Sequence, residues 1–490
     1  MGRWVLRALP IVTLVLVLGV RAAGAGAPLA QALAAALDAS ALRGARVGAL
    51  VVDVERGAVL FERAPDLALV PASNLKILTA LAALDAFGPA HRFTTRVLAD
   101  APADAGGAVD VLYLQGGGDP ALTSESWWRL AADLRLAGLR EVRRGIVVDD
   151  SAFDAARWHP SWGRVTSRAY YAPIGALSAN YGAFAVEVRP GPAAGAPLGV
   201  TLDPPVASLR LVNRARTGPP GSPSTLVVDR VAAGEVEEVR VAGSLAAGAE
   251  PRSFYRSVAD PGRYAGSLAR LQLEANGVRV GPELTRGGVP LGAAELLAFE
   301  GRPLGEIVGL LVKHSNNEIA EVLVKALAAQ RGAGSWELGT ALVRERLVGL
   351  GLDASGLELV DGSGLSTRNR VSARLLVDAL RVAGGSFRIG PELLAALPIA
   401  ARDGTLRKRA GGADGRVRAK TGLLDRVTAL AGYAQLADGR TAAFAVLVNG
   451  YRVADEAAMD AVDAFVSALV SAEPEAGETP SASNRAAWIP

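Results

Sequence analysis

Ser73 and Lys76 stand three residues apart in Pro71-Ala-Ser-Asn-Leu-Lys-Ile-Leu-Thr79, at the start of an apolar run (Leu75, Ile77, Leu78, Leu81, Leu84) that Gly88-Pro89 closes. Positions i and i+3 of a helix share a face, so the hydroxyl and the amine can meet there. A serine beside an amine able to lose its proton is an activated nucleophile, suited to acyl transfer through a covalent intermediate. The plainer alternative is a Ser N-cap followed by a surface lysine. Two further groups bear on the choice. In Lys420-Thr421-Gly422, on a strand-like run, the amine and hydroxyl could hold a substrate carboxylate, and Gly422 would let an extended peptide approach the strand edge. The backbone N–H groups of Ser73 and Leu423 would then be available as an oxyanion hole. Ser315-Asn316-Asn317 precedes a helix. Residues two apart do not share a helix face, so Ser315 and Asn317 reach one site only from a loop; in isolation a plain N-cap accounts for them.

Residue usage sharpens these readings. Lysine occurs five times (Lys76, Lys313, Lys325, Lys408, Lys420) in a chain that otherwise uses arginine for positive charge. Lysine can deprotonate when desolvated and arginine cannot, so a retained lysine points to chemistry that needs an amine. Histidine occurs only at His91, His159 and His314, without paired metal-ligand spacing, and there is no cysteine. Disulfides, thiol nucleophiles and cysteine-ligated metals are therefore excluded, and neither a metal nor a cofactor is expected.

The 490 residues, half of them apolar, exceed one small core and imply two or three domains. Arg3 and Arg7, the apolar run Ile11 to Val20 and small residues from Ala22 to Ala27 have the layout of a signal peptide over residues 1–25. Its three arginines account for the formal net charge of +3. The remaining chain is neutral, which offers nothing for nucleic acid. Membrane attachment is expected only through an uncleaved leader, and the protein is expected to be exported to the periplasm or cell envelope.

The elements that must position these residues follow from hydrophobic period. Residues 28–42 read as a helix, and Arg46–Val54 with Ala58–Arg63 as a hairpin. Residues 91–299 change character. Strand-like runs there include Thr94–Leu98, Asp110–Leu114 and Gly145–Asp150, and Gly, Pro and Val dominate about 190–250, a mainly β module nested in an inserted region. Helical patterns return at Leu304–Leu311, Glu318–Ala328 and Glu337–Leu350. Strand-like runs at Arg416–Thr421, Thr428–Leu436 and Thr441–Val448 precede a helix over Ala454–Val470 and a polar tail at 472–490. An α/β (α+β) fold is expected, with helices around an antiparallel sheet.

Ser-x-x-Lys, Ser-x-Asn and Lys-Thr-Gly occur in this order, the motif set of serine β-lactamases and penicillin-binding proteins. With Val70-Pro-Ala-Ser73, Gly116-Gly-Gly-Asp-Pro120, Asp149-Asp-Ser-Ala-Phe153, Leu177-Ser-Ala-Asn-Tyr181, Ala320-Glu321 and Asp361-Gly-Ser-Gly-Leu-Ser366, the chain from about 30 to 470 resembles the class C low-molecular-mass penicillin-binding proteins, the DacB-type D-alanyl-D-alanine carboxypeptidase/endopeptidases. The resemblance implies a transpeptidase-like domain made of 28–90 and 300–471, interrupted by an accessory insertion at 91–299. It implies a penicillin-sensitive serine peptidase that removes the terminal D-alanine of peptidoglycan stem peptides or cleaves D-amino-acid cross-links, with β-lactams as covalent inhibitors. By it, Ser73 is the nucleophile, Lys76 its proton acceptor, and Ser315 the relay to the leaving group. Asn317 holds the substrate backbone, and Lys420 and Thr421 bind the terminal carboxylate. Where the family commonly has Arg directly after Gly-Leu-Ser, this chain has Thr367 and then Arg368. Either the loop shifts by one residue or side-chain recognition differs. Asp149 or Asp150 would meet the free amine of a diaminopimelate side chain, or cap a strand end. A β-lactamase or esterase on the same fold, and a non-catalytic peptidoglycan-binding protein, are the alternatives.

Overall fold

The computed structural model describes residues 29–472. The expected leader at 1–25, and the expected tail from residue 473 on, lie outside the described residues. The fold is mixed α/β, built on a sheet covered by helices on both faces. In chain order, α1 is Leu29–Leu37, β1 Arg46–Asp53, β2 Val59–Arg63, α2 Leu75–Phe87, α3 Leu304–His314, α4 Asn317–Ala329, α5 Trp336–Gly349, α6 Ala373–Gly384, β3 Val417–Leu424, β4 Val427–Gln435, β5 Thr441–Asn449 and α7 Asp455–Ser471. The helix read over 28–42 stops at Leu37 and is followed by a separate 3₁₀ turn at Ser40–Leu42.

The sheet runs β3-β4-β5-β1-β2, antiparallel at every step, with the two chain ends meeting where β5 pairs β1. Alternation along the strands divides two cores. Ala429, Ala431, Ala443, Ala445 and Leu447 face one side with α2 and α6, while Leu430, Phe444, Val446 and Val448 face the other with α1 and α7. Successive strand residues point to opposite faces, so apolar residues at every position are what a sheet buried on both sides needs. Helix α2 is buried at every position from Leu75 to Leu84, Lys76 and Thr79 included. A helix apolar all round belongs at the centre of a fold, and here it carries one amine into that centre.

Residues 92–303 form further sheets. Strands Arg92–Ala99, Ala108–Gln115, Glu141–Asp149 and Ala294–Pro303, with the short Arg279–Val280 and Glu283–Arg286 beside Glu141–Asp149, make the larger one. Small sheets between Ala183 and Ser257 follow, and the helices Ser124–Leu136 and Pro261–Ala275 pack on each other. This part has its own core (Val97, Leu114, Trp127, Ile146, Tyr264, Leu268). One stretch of it, with Phe153, Trp162, Ile174 and Ala176, packs instead into the core around α2 and α4.

The segment leading to Ser73 is tied to the sheet by one side chain. Asn449, the last residue of β5, accepts from the Val70 N–H at 2.8 Å and donates to the Val70 carbonyl at 3.1 Å. Asn449→Ala leaves both backbone groups without these partners and is expected to cost about 1–3 kcal/mol, read from urea unfolding followed by tryptophan fluorescence. A loss under about 0.5 kcal/mol, the scale of an ordinary surface change, would show that the tie is dispensable.

Candidate active site

Ser73 sits in a 3₁₀ turn, Ala72–Asn74, that leads directly into α2. Ala72 before it has φ +46°, a left-handed conformation that costs a non-glycine residue about 1–3 kcal/mol and persists only where the surroundings impose it. One surrounding is Gly364, with φ +80°, where a Cβ would lie 1.9 Å from the Ala72 carbonyl oxygen. Another is Gly422, where a Cβ would come within 2.8 Å of the Pro71 carbonyl and 3.1 Å of the Ala72 Cβ. The missing side chain of Gly422 is thus space used by the protein's own Pro71–Ala72 turn.

The Lys76 amine lies 2.9 Å from Ser73 Oγ, 2.7 Å from Asn317 Oδ1 and 2.7 Å from the Ser363 carbonyl oxygen. Burial pulls it from the ordinary lysine value down to about 7, against the opposing pull of the Glu321 and Asp361 carboxylates. Two of its three neighbours can only accept, and the Asn317 amide is oriented by donating from Nδ2 to the Tyr170 carbonyl at 3.0 Å. A neutral amine has two N–H donors and one lone pair. It can therefore donate to Asn317 and Ser363 and receive the hydroxyl proton of Ser73.

Ser315 ends α3 with φ +58°, and Asn316 caps α4 by accepting from the Ile319 N–H. That left-handed residue breaks the helix between Ser315 and Asn317 and lets residues two apart point into one site. Ser315 Oγ accepts from Lys420 Nζ at 2.8 Å, and the same amine donates to the Thr421 carbonyl at 2.7 Å. Lys420 has no carboxylate within ion-pair distance among the described residues. Burial, helped by the nearby Lys76 amine, holds it well below the ordinary range. Thr421 Oγ1 donates to Thr405 Oγ1 at 2.8 Å.

Strand β3 is a sheet edge. Its Val417 carbonyl and Ala419 N–H point outward, to Ala400 and Pro398, while the Arg416 carbonyl points inward to Gln435. Alternation along the strand then carries the Thr421 and Leu423 N–H groups to the same outer edge. The Ser73 N–H donates to no group among the described residues. The Asn74 amide, oriented to satisfy both neighbours, donates to the Lys420 carbonyl at 2.7 Å and accepts from the Leu430 N–H at 3.2 Å, locking the turn to β3 and β4. A cleft of about 540 Å³, lined by Tyr170, His314, Ser315 and Asn317 among others, opens beside these groups. A second cleft, of about 640 Å³ between Phe387, Leu394 and Tyr433, contains none of them.

Two expected recognition residues have other partners. Asp149 accepts from the N–H groups of Ser151 and Val289 and from Gln115, and these bonds outweigh burial and keep its carboxyl below the ordinary range. Asp150 is buried between Arg157 and Arg286, 2.5 Å from each. Arg368 is exposed on the loop after Ser366, and its charge reaches His159.

Several contributors lacked a separate signal in the sequence. The Ser363 and Tyr170 carbonyls act through backbone, which no residue type announces. Asn74 fills a free position of the Ser-x-x-Lys motif, and Thr405 lies 16 residues before Thr421, outside every motif. Glu321 had a signal, since it lies four residues after Asn317 and so on the same face of α4.

A model of the D-Ala-D-Ala carboxypeptidase 3 (S13) family matches residues 29–471. A D-alanyl-D-alanine carboxypeptidase of an Actinomadura strain is 40% identical over 440 residues, covering 86% of this chain and 81% of that protein. The D-alanyl-D-alanine carboxypeptidase DacB of Haemophilus influenzae is 25% identical over 420 residues, 84% of this chain and 87% of that one. Among solved structures, penicillin binding protein 4 (dacB) from Haemophilus influenzae superposes with TM-score 0.76 at 24% identity, over 89% of this chain and 97% of that one, a likeness of fold.

An amine titrating at about 7 gives the site a direction in pH. Below that value Lys76 is protonated and cannot accept from Ser73. Above it the lone pair is free. The rate at which a fluorescent β-lactam labels the protein is expected to rise with pH through about 7 and then level. Lys76→Arg, whose guanidinium keeps its proton, should lose at least about a hundredfold. A profile flat from about pH 5 to about pH 8 would contradict the assignment.

Proposed function

The chain belongs to the D-Ala-D-Ala carboxypeptidase 3 (S13) family, and from that premise we propose that Ser73 is its acylated nucleophile and Lys76 the base that activates it. The enzyme is a penicillin-sensitive serine hydrolase of peptidoglycan. It acts on peptide bonds on the carboxyl side of a D-amino acid, releasing terminal D-alanine or opening cross-links. The single observation that carries the reading is the 2.9 Å contact between a buried amine and Ser73 Oγ, with both remaining amine hydrogens directed at oxygens that can only accept.

The reaction follows from the groups at hand. Lys76 takes the Ser73 proton as Oγ adds to the substrate carbonyl, and the N–H groups of Ser73 and Leu423 hold the oxygen that becomes negative. Lys420 and Thr421, on the edge strand, hold the terminal carboxylate. Asn317 fixes the peptide backbone. Collapse of the tetrahedral species breaks the C–N bond, and Ser315, hydrogen-bonded to Lys420, relays to the departing D-alanine nitrogen the proton that Lys76 took from Ser73, which leaves Lys76 neutral again for the attack of water. Water then adds to the ester, giving the shortened peptide and free Ser73.

Residues 28–90 with 300–471 form the catalytic unit of this reading, and 91–299 an accessory insertion that contributes the Tyr170 carbonyl. Stem peptides of peptidoglycan are the substrates, and β-lactams acylate the same serine. These substrates lie in the cell envelope, where the exported enzyme, periplasmic or otherwise envelope-associated, meets them. A β-lactamase is the second reading on this site chemistry. Slow release of the acyl group separates the two.

Intact-mass and peptide mass spectrometry after penicillin treatment are expected to find one penicilloyl adduct, on Ser73, persisting long after free drug is removed. Ser73→Ala should abolish the adduct and reduce D-alanine release from a pentapeptide by at least about a thousandfold. Rapid loss of the adduct with turnover of the drug would favour the β-lactamase, and undiminished release by Ser73→Ala would remove Ser73 from the mechanism.

A further inference from the structure

Beneath Ser73 lies a second arrangement with its own logic. Glu321, on α4, is fully buried, and its carboxylate accepts three hydrogen bonds: from Trp336 Nε1 at 2.8 Å, the Gly362 N–H at 2.9 Å and the Ser363 N–H at 2.7 Å. The Gly362 carbonyl accepts from Thr79 Oγ1 at 2.7 Å, one turn along α2 from Lys76. A Cβ on Gly362 would come within 2.5 Å of Val324 Cγ2 and 2.7 Å of the Ala320 carbonyl, so the loop lies directly on α4. Clamped at both its N–H groups and at one carbonyl, the Gly362–Ser363 stretch has little freedom left. The carbonyl it presents next, that of Ser363, is the one 2.7 Å from the Lys76 amine.

A purely structural account of Glu321, an acid holding down a loop, leaves two features unexplained. Trp336 supplies a polar side chain to the carboxylate, where an apolar one would fill the same space. The carboxylate also sits in the same buried neighbourhood as a lysine that it does not pair with directly. The three donors favour the charged form of the carboxylate against its burial, and where it is charged its field acts on the amine through a low-dielectric interior.

We propose that Glu321 is a positioning residue for the transfer of the Ser73 proton to Lys76, fixing the amine through the Gly362–Ser363 loop and setting its basicity through charge. The inference rests on the reading of Ser73 as nucleophile and Lys76 as acceptor. The groups around Glu321 are consistent with it. Asp361 acts on Lys76 in the same sense as Glu321, and Lys420 bears on the other side. Lys325, one turn along α4, is occupied by Asp154 at 2.6 Å and the Ala156 carbonyl at 2.7 Å, with its amine over the Trp336 ring. Burial raises the Glu321 carboxyl, as does the nearby Asp361, while the three donors oppose both.

Two variants separate position from charge. Glu321→Gln removes the charge. The acid limb of β-lactam acylation against pH should move to lower pH by about one unit, the effect of losing one nearby opposite charge, because Lys76 is then less basic. Glu321→Asp keeps the charge and shortens the reach. Its limb should stay where the wild type's is, while the plateau rate falls about tenfold or more as the Ser363 carbonyl shifts. Circular dichroism and thermal melts establish that each variant is folded, and one folded variant is enough to test the role of Glu321. A folded Glu321→Gln with the wild-type limb, or a folded Glu321→Asp with the wild-type plateau, would overturn the proposal. The wild type in the same series guards the premise. If its adduct is not on Ser73, the catalytic reading fails. If it is on Ser73 and the variants behave as wild type, only the role of Glu321 does.

Discussion

Taking an amine out of water without its proton is the constraint on which this structure turns. A buried ammonium is costly, and the pKa falls until the neutral form wins. Lys76 is brought to about 7 because α2 is enclosed on every side, and because its three polar neighbours are uncharged oxygens, not carboxylates. A directly paired carboxylate would return the proton. The two acids that do act on Lys76 are set back from it and engaged elsewhere, Glu321 with Trp336 and the 362–363 loop, Asp361 with Trp162, Asn369 and two backbone N–H groups. They limit the depression of the amine without cancelling it.

The rest of the site is a problem of bringing distant backbone close. Ser73, Ser315 and Lys420 come from segments separated by more than a hundred residues at each step, and none is held by its own element alone. Gly364 and Gly422 vacate the space into which the Pro71–Ala72 turn fits. Ala72 and Ser315 both adopt left-handed backbone, one directly before Ser73 and the other aiming a hydroxyl at Lys420. Strain of this kind persists where neighbouring contacts over-determine it. Here those contacts are the Asn74 amide on β3 and β4, and Asn449 on Val70.

Much of this was legible in the sequence, and the reasons can be stated residue by residue. The strands after Lys420 are nearly continuous apolar runs, as a sheet buried on both faces requires, and the Asp438-Gly439 turn joins two of them as a hairpin, so an antiparallel sheet followed directly. Lysine scarcity was informative because chemistry does limit where an amine is needed. Lys76 and Lys420 are both fully buried, as is Lys325, which ties α4 to Asp154; among the described residues Lys408 alone of the five is exposed without such a partner. Other features were hidden. The helix Pro261–Ala275 has an Asp260 cap and a proline at its start, but small residues (Gly262, Ala265, Gly266, Ala269) make up much of its buried face, so few large apolar side chains mark it. The acids Asp149 and Asp150 looked available because their partners, Val289, Arg157 and Arg286, are remote or generic in sequence. Carbonyl oxygens such as those of Ser363 and Tyr170 are offered by every residue, so only the folded backbone selects them.

The central claim is that Lys76 gives up its proton near neutral pH, far below an ordinary lysine. Five lysines make it directly measurable, by following the side-chain ¹³Cε signals of selectively labelled protein through a pH titration, with the Lys76 signal assigned by its loss in Lys76→Met. The account predicts that this signal titrates at about 7. A Lys76 signal that titrates near the ordinary lysine value of about 10.4 would contradict it.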